Sequence, residues 1–228
     1  MTTTNFDRGR VAFRDCVSED ALLAFAGEDT FLEGTLFGRK TTSADTYAGV
    51  IVGTGAKTIA LTPRAGRSMK VGAYVLTVGN VTAGVGPATL VDPDGISETT
   101  TLAVSGAHQF PNLGVTMTIT AGGTELDDNA TVTFTVAAPS TNVYAPYSAT
   151  GVNGAQTANA VLGYEAYKAT AGNLAGRLIV SGQVVKERLV IDGSLADSST
   201  AAARESLRSF SIVPVSVNQL TAYDNQPA

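Results

Sequence analysis

Residues able to do acid–base or nucleophilic chemistry are few in this chain. His108 is the single histidine and Cys16 the single cysteine among 228 residues. A histidine-based triad would need His108 as its base, and the nearby Ser105 is only a sequence neighbour, which is no evidence of a hydrogen bond. Cys16 has no histidine partner in its context, so we expect a small packed or free thiol. We predict that the chain is not an enzyme, since no nucleophile, base and oxyanion set can be assembled.

A group of carboxylates raises the question of a calcium site. Asp92 and Asp94 belong to an Asp-Pro-Asp-Gly sequence, and Glu125, Asp127 and Asp128 follow further along the chain. The ligand spacing of a calcium-binding loop is absent. Proline presets φ, aspartate bonds the backbone and glycine accepts positive φ, so the sequence favours a turn at residues 92–95. We therefore predict no metal.

Residues 53–57, Gly-Thr-Gly-Ala-Lys, resemble a phosphate-binding loop only superficially. The glycine spacing differs from that of a P-loop, and a strand pattern follows Lys57 where a P-loop needs a helix. We expect a turn here and no cofactor.

Composition and charge limit the partners. The net charge is -5, and clustered Lys and Arg, which a nucleic-acid surface needs, are missing. One cysteine excludes an internal disulfide framework. The first ten residues are polar, and no apolar run approaches the ~20 residues that span a bilayer. We expect a protein assembled in the cytoplasm, without direct nucleic-acid or membrane partners.

The sequence of residues 1–45 predicts an arm, a helix and a strand. Residues 1–17 mix polar residues with spaced basic and aromatic ones: Phe6, Arg8, Arg10, Phe13 and Arg14. Ser18 is a suitable cap for a short helix over residues 19–26, with acidic residues in its first turn and Gly27 to end it. Residues 30–37 alternate enough to form a strand, and residues 38–45 form a polar connection.

Residues 46–140 have the texture of a β-sandwich. Short strand patterns are separated by Gly, Pro and Asp turns. We predict strands near residues 58–61, 72–78, 88–91, 99–104, 115–120 and 130–136. Tyr74, Leu76 and Val78 alternate with smaller residues, so that strand has one apolar face. Several such faces predict an immunoglobulin-like sandwich.

The stretch of residues 143–172 carries a family resemblance. It comprises Tyr144-Ala145-Pro146-Tyr147, a glycine-containing turn over 148–154, the run Gln-Thr-Ala-Asn-Ala-Val-Leu over 156–162, and Glu165. This pattern resembles the core of the head decoration proteins of tailed bacteriophages, the lambda D-like family. Downstream, residues 177–191 resemble that family's strand pair, 199–210 its C-terminal helix and 211–215 its closing strand. The likeness covers residues 30–45 and 142–215.

The resemblance implies a mainly β fold with an α+β core. The core comprises residues 30–45 and 142–215, and an immunoglobulin-like domain at residues 46–141 is inserted into it. Residues 1–29 form a capsid-binding arm and a short helix. Residues 216–228 form a C-terminal tail. A homotrimer is implied on the virion surface, bound to the major capsid protein at threefold and quasi-threefold sites. The arm residues are then the capsid contacts, and the core or trimer-interface residues are Tyr144, Pro146, Tyr147, Leu207 and Phe210.

Two alternatives remain open at the level of sequence. The inserted domain can instead be an adhesion module for host-surface glycans, although the chain lacks Trp and this segment offers only Tyr47, Tyr74, Phe110 and Phe134 as candidates for sugar stacking. A tail-tube subunit shares the β-rich composition but predicts rings or tubes instead of trimers.

Overall fold

A computed structural model of the chain describes residues 11–51, 57–82, 84–103, 105–119, 128–191, 194–195 and 201–216. These residues are mainly β, as predicted. The chain divides into two compact units: the inserted unit, residues 41–140, and the core unit, residues 1–40 with 141–228. The sequence predicts this insertion at residues 46–141.

The described residues contain eighteen strands. They are β1 (Ala12–Phe25), β2 (Asp29–Phe31), β3 (Leu36–Arg39), β4 (Tyr47–Ile51), β5 (Lys57–Pro63), β6 (Gly72–Val78), β7 (Gly86–Val91), β8 (Ser97–Leu102), β9 (Gly106–Phe110), β10 (Val115–Ile119), β11 (Thr131–Val136), β12 (Val143–Pro146), β13 (Ala160–Leu162), β14 (Ala166–Lys168), β15 (Gly172–Val185), β16 (Val190–Ile191), β17 (Ser194–Leu195) and β18 (Ile212–Val215). A 3₁₀ turn spans Lys186–Arg188, and helix α1 spans Ala201–Ser209.

Strand pairing in the core unit closes on itself. The order is β1, β12, β3, β13 and β15, and β15 pairs again with β1, which makes a closed ring of five strands. β1 and β15 are antiparallel along most of their length. β18 adds to β15 in parallel. A closed ring leaves fewer exposed strand edges than an open sheet of the same size.

Strands β3 and β13 of the ring are buried on both faces. Leu36 and Phe37 are neighbours on β3, yet they belong to two different apolar clusters, because successive side chains point to opposite faces of a strand. Helix α1 covers one of these clusters with Ala203 and Leu207. The three residues of β13 are all fully buried, which accounts for their continuous apolar sequence.

The helix predicted over residues 19–26 is wrong, because this segment belongs to strand β1. Ala21, Leu23 and Phe25 are buried while the residues between them are partly exposed, a period of two. Pairing with β15 runs without a break from Ser18 to Phe25, and this tertiary pairing outweighs the local capping signal at Ser18. Residues 12–17, predicted as part of the arm, lie in the same strand.

The single strand predicted over residues 30–37 is also wrong, since it is divided into β2 and β3. Gly34 has φ of 90°, and a Cβ at this position would overlap the carbonyl oxygen of Arg188. Only glycine readily adopts this backbone conformation. Gly34 therefore interrupts the predicted strand between β2 and β3.

The C-terminal predictions are partly correct. Residues 177–191 contain no simple strand pair, because β15 starts at Gly172, runs unbroken to Val185 and is followed by the 3₁₀ turn and β16. Helix α1 and the closing strand β18 lie where the sequence predicts them. Residues 199 and 200, at the start of the predicted helix, lie outside the described residues.

The inserted unit has two four-stranded sheets, of order β4-β5-β10-β9 and β11-β6-β7-β8. The apolar faces of both sheets contribute to one core. The six strands predicted for this segment are present, with residues 104 and 120 outside the described part. Sequence reasoning missed β4 and β9, which form the two edges of the first sheet.

Hydrogen bonds hold the ends of each unit together at the insertion point. The Ser43 amide donates to the Ala137 carbonyl over 2.8 Å within the inserted unit. In the core unit, β3 and β12 flank the insertion and pair with each other, and the Lys40 amide donates to the Val143 carbonyl over 2.8 Å. Such closely spaced ends are what allow one domain to be inserted into another.

Candidate functional site

Tyr144 joins two strands of the core unit. It lies on β12 with only 5% of its surface exposed, and its hydroxyl donates a 2.7 Å hydrogen bond to Glu19 Oε1 on β1. Burial, together with the carboxylate that accepts this bond, raises the pKa of Tyr144 to about 12. The residue therefore acts inside the core unit as a neutral donor. The expected packing role fits this position, whereas an exposed contact at Tyr144 does not.

Pro146 and Tyr147 lie at the end of the same strand. Pro146 is opposite Phe37 of β3, beyond the point where β12 pairs with β1, so its missing amide leaves no gap in the pairing with β1. Tyr147 is buried in the cluster that α1 covers, and its amide donates to the Leu36 carbonyl over 2.8 Å. Pro146 therefore belongs to the strand pairing of the ring, and Tyr147 packs inside the core unit.

The two C-terminal candidates differ in exposure. Leu207 on α1 is fully buried, whereas Phe210, just after the helix, is 45% exposed. Val213 of β18 is 41% exposed. Of the five predicted core or interface residues, Phe210 is therefore the one with a large exposed surface.

The arm residues are only partly described. Phe6, Arg8 and Arg10 lie outside the described residues. Phe13 and Arg14 belong to β1, where Arg14 is opposite Gln183 of β15. Their backbone is therefore part of the ring.

The acidic turn of the inserted unit is held by a lysine. Asp92 Oδ1 accepts the amides of Asp94 and Ile96 over 3.0 and 2.8 Å, and its Oδ2 accepts a 2.6 Å bond from Lys70 Nζ. Lys70 also contacts Asp94 at 2.6 Å. Burial alone would raise the pKa of Asp92, but the hydrogen bonds from Lys70 and the amides hold that pKa below its ordinary value. The turn forms as predicted. The ammonium group of Lys70 contacts the carboxylates of both Asp92 and Asp94.

Of the other carboxylates considered for calcium, Asp128 is the one within the described residues. Asp128 Oδ1 accepts the Val81 amide, and Glu125 and Asp127 lie outside the described residues. Within the described part of the chain, no three His, Cys, Asp or Glu side chains are grouped closely enough to hold a metal ion.

His108 and Cys16 take structural positions. His108 lies on β9 opposite Met117, and its Nε2 is buried without a hydrogen-bond partner. Cys16 Sγ donates to the Gln183 carbonyl over 3.0 Å.

Sequence reasoning missed one exposed apolar surface of the core unit. β2 and β14 pair as a short ribbon, and near them Leu32, Tyr164 and Tyr167 are 42%, 51% and 54% exposed. Three exposed carboxylates lie in the same two segments of the chain. We call this surface the ribbon face; its members are Leu32, Tyr164, Tyr167, Glu28, Asp29 and Glu165. The signal in the sequence was the pair of tyrosines on either side of Glu165.

No helix among the described residues is long and apolar enough to cross a membrane. Comparison of the chain with protein-family models, curated proteins and solved structures finds no match in any of the three.

Proposed function

We propose that this chain is a head decoration protein of a tailed bacteriophage. It binds the exterior of the expanded capsid as a homotrimer, at threefold and quasi-threefold sites on the major capsid protein. There it stabilises the capsid against the internal pressure of the packaged DNA. Its place is the outer surface of the virion, after assembly in the host cytoplasm.

The observation that carries the proposal is the order and pairing of the core strands around the insertion. β3 and β12 come from opposite sides of the inserted unit and pair in one ring. The Tyr-Ala-Pro-Tyr strand, β13, α1 and β18 then follow in the order that the lambda D-like resemblance implies, with the long strand β15 where the resemblance implies a strand pair. A core unit that is continuous across the insertion supports a decoration-protein core carrying an extra domain.

The mechanism is thermodynamic linkage between binding of this protein and expansion of the capsid. A ligand that binds the expanded lattice and not its precursor stabilises the expanded form by its binding free energy. A trimer multiplies weak contacts, because the first subunit to bind raises the effective concentration of the other two. Stabilisation of this kind needs binding surfaces and no reaction.

The glycan-binding alternative has little support in the inserted unit. Tyr74, Phe110 and Phe134 are almost fully buried in its core, and the hydroxyl of the half-buried Tyr47 accepts the Ala44 amide over 3.2 Å. The large exposed hydrophobic residues in the described part of this unit are aliphatic: Val50, Val71, Val85 and Ile96. Sugar rings stack on exposed aromatic faces, and the described part of the inserted unit offers no such aromatic surface.

The test is direct binding to capsids. Purified protein is mixed with undecorated, expanded capsids, and the product is imaged by cryo-electron microscopy. Density at threefold positions in groups of three is expected. Bare threefold positions with the protein free in solution would refute the proposal, and protein located on tails would favour the tail-subunit alternative.

A deletion tests the role of the arm. The structure limits the deletion to residues 2–10, because Val11 is fully buried and β1 starts at Ala12. The truncated protein should remain a folded trimer and lose capsid binding. Normal capsid occupancy by the truncated protein would exclude residues 2–10 as the capsid contact.

A further inference from the structure

The turn that follows strand β12 contains the single Asn-Gly sequence of the chain, Asn153-Gly154. Both residues have positive φ, 51° and 101°, and Asn153 is fully buried. Hydrogen bonds close the turn on both sides of the pair. The Ser148 amide donates to the Ala155 carbonyl over 3.1 Å, and the Thr157 amide donates to the Gly154 carbonyl over 3.1 Å. The Asn-Gly pair is therefore held inside an ordered part of the core unit.

Close packing requires glycine at position 154. A Cβ there would overlap the carbonyl oxygen of Arg39, at a φ that residues with a side chain rarely adopt. A Cβ at Gly38 would in turn overlap the carbonyl oxygen of Gly154. The turn thus packs against the end of strand β3, and the fold keeps a glycine directly after Asn153.

An asparagine followed by glycine can lose its side-chain amide spontaneously. Glycine has no Cβ to hinder the approach of its backbone nitrogen to the preceding side chain. After losing its proton, the Gly154 nitrogen attacks Asn153 Cγ. The N–Cγ bond forms, the Cγ–Nδ2 bond breaks, and the side-chain nitrogen leaves as ammonia. Water then opens the resulting succinimide to aspartate or isoaspartate, so the reaction needs only solvent.

Two features of the folded core unit oppose this reaction. The Gly154 amide donates a 2.9 Å hydrogen bond to Gln156 Oε1, and a hydrogen bond made by the neutral form of a group disfavours loss of its proton. Asn153 is also buried in a close-packed interior, where its side chain has little room to rotate toward the nitrogen.

We propose that Asn153-Gly154 is a latent deamidation site, which the folded core unit keeps closed and in which Gln156 protects the Gly154 amide. Opening of the turn exposes the pair, and the reaction then leaves a permanent chemical mark at position 153. The inference goes beyond the proposed function, because it concerns a covalent modification of the chain itself.

Mass spectrometry tests the site in the unmodified chain. Folded protein and protein unfolded in guanidinium chloride are incubated side by side in mildly alkaline buffer. Peptides that contain position 153 are then scored for conversion of the amide to the acid and for isoaspartate. Conversion should be more than about tenfold slower in the folded protein, because the turn must open before the reaction can occur. Equal rates in the two states would overturn the proposal.

Two variants at one position test the role of Gln156. Gln156→Ala removes the acceptor, whereas the matched control Gln156→Glu keeps an oxygen that can accept the Gly154 amide. In folded protein, Gln156→Ala should react at position 153 about fivefold faster than the unmodified chain, the factor that corresponds to a net hydrogen bond of ~1 kcal/mol, and Gln156→Glu should not. Equal rates for Gln156→Ala and the unmodified chain would overturn the role of Gln156. An equal rise in hydrogen exchange of the Thr157 amide would overturn it too, because the whole turn would then be opening.

A variant that imitates one product tests whether Asn153 is sealed from solvent. A buried carboxylate is costly unless it is paired, so Asn153→Asp should lower the melting temperature of the core unit by roughly 5–10 °C. The control is Asn159→Asp, at a partly exposed position where Oδ1 accepts the Arg39 amide over 3.1 Å and an acceptor is kept. This control should change the melting temperature by less than ~2 °C. Equal melting temperatures for the two variants would overturn the inference that the turn is closed around Asn153.

Discussion

Replacing Leu207 with alanine should loosen helix α1 from the core unit. In α1 the buried residues are Ala203 and Leu207, and Ser206 adds a 2.8 Å hydrogen bond from its Oγ to the Ala158 carbonyl. Leu207 is fully buried, so its truncation removes apolar contacts and leaves a cavity under a helix with few other anchors. Buried leucine-to-alanine substitutions cost about 2–5 kcal/mol, and we expect about 3 kcal/mol here.

The assay is urea unfolding of matched variants. With a slope of ~2 kcal/mol per molar urea, a loss of ~3 kcal/mol lowers the midpoint of the core unit by about 1.5 M. Phe210→Ala, at a position 45% exposed, is the control and should cost under ~1 kcal/mol. Because the two units need not unfold together, hydrogen exchange at the α1 amides follows the core unit separately. Equal losses from Leu207→Ala and Phe210→Ala would refute the assignment of α1 as a helix anchored by Leu207.

Three further predictions concern single positions. Gly34→Ala should lower the melting temperature far more than the control Gly27→Ala. At Gly34 the backbone φ is positive and a Cβ would overlap the Arg188 carbonyl, whereas a Cβ at Gly27 meets open space. Similar melting temperatures for the two variants would contradict this prediction. Since the folded-state pKa of Asp92 is lowered, its contribution to stability is present above the ordinary pKa of ~3.9 and is lost as the pH falls below it. Lys70→Met should therefore flatten the pH dependence of the urea midpoint between about pH 5 and 2, and an unchanged slope would count against the Lys70–Asp92 contact. Tyr144→Phe should cost ~1 kcal/mol through loss of the bond to Glu19, measured by urea unfolding, and a neutral effect would mean that the bond contributes nothing net.

The strands of the inserted unit were largely predictable because each carries its own signal. Val132, Phe134 and Val136 point into one core and the threonines between them point outward, so the period of two is visible in the residues alone. β4 and β9 were missed because edge strands are half exposed: β4 contains Gly49, and β9 is mostly polar.

The core unit was less predictable because its strands depend on distant partners. Ser18 and the acidic residues after it satisfy the local rules for a helix start, and only pairing with β15, more than 140 residues away, makes the segment a strand. At the candidate site, the packing of Tyr144 and Tyr147 was predictable from their aromatic character. The Tyr144–Glu19 bond and the ribbon face were not, since both depend on which residues the ring brings together.

The hydrogen bond between Ser43 and Ala137 has a consequence for the order of folding. Strand β3 emerges about a hundred residues before its partner β12, and the entropy cost of closing a chain grows as 1.5 RT times the logarithm of its length. If the inserted unit folds first, its joined ends shorten the effective loop from about a hundred residues to about ten. The closure then costs ~2 kcal/mol less. The insertion that interrupts the core sequence thus acts as a clamp that lets β3 and β12 meet.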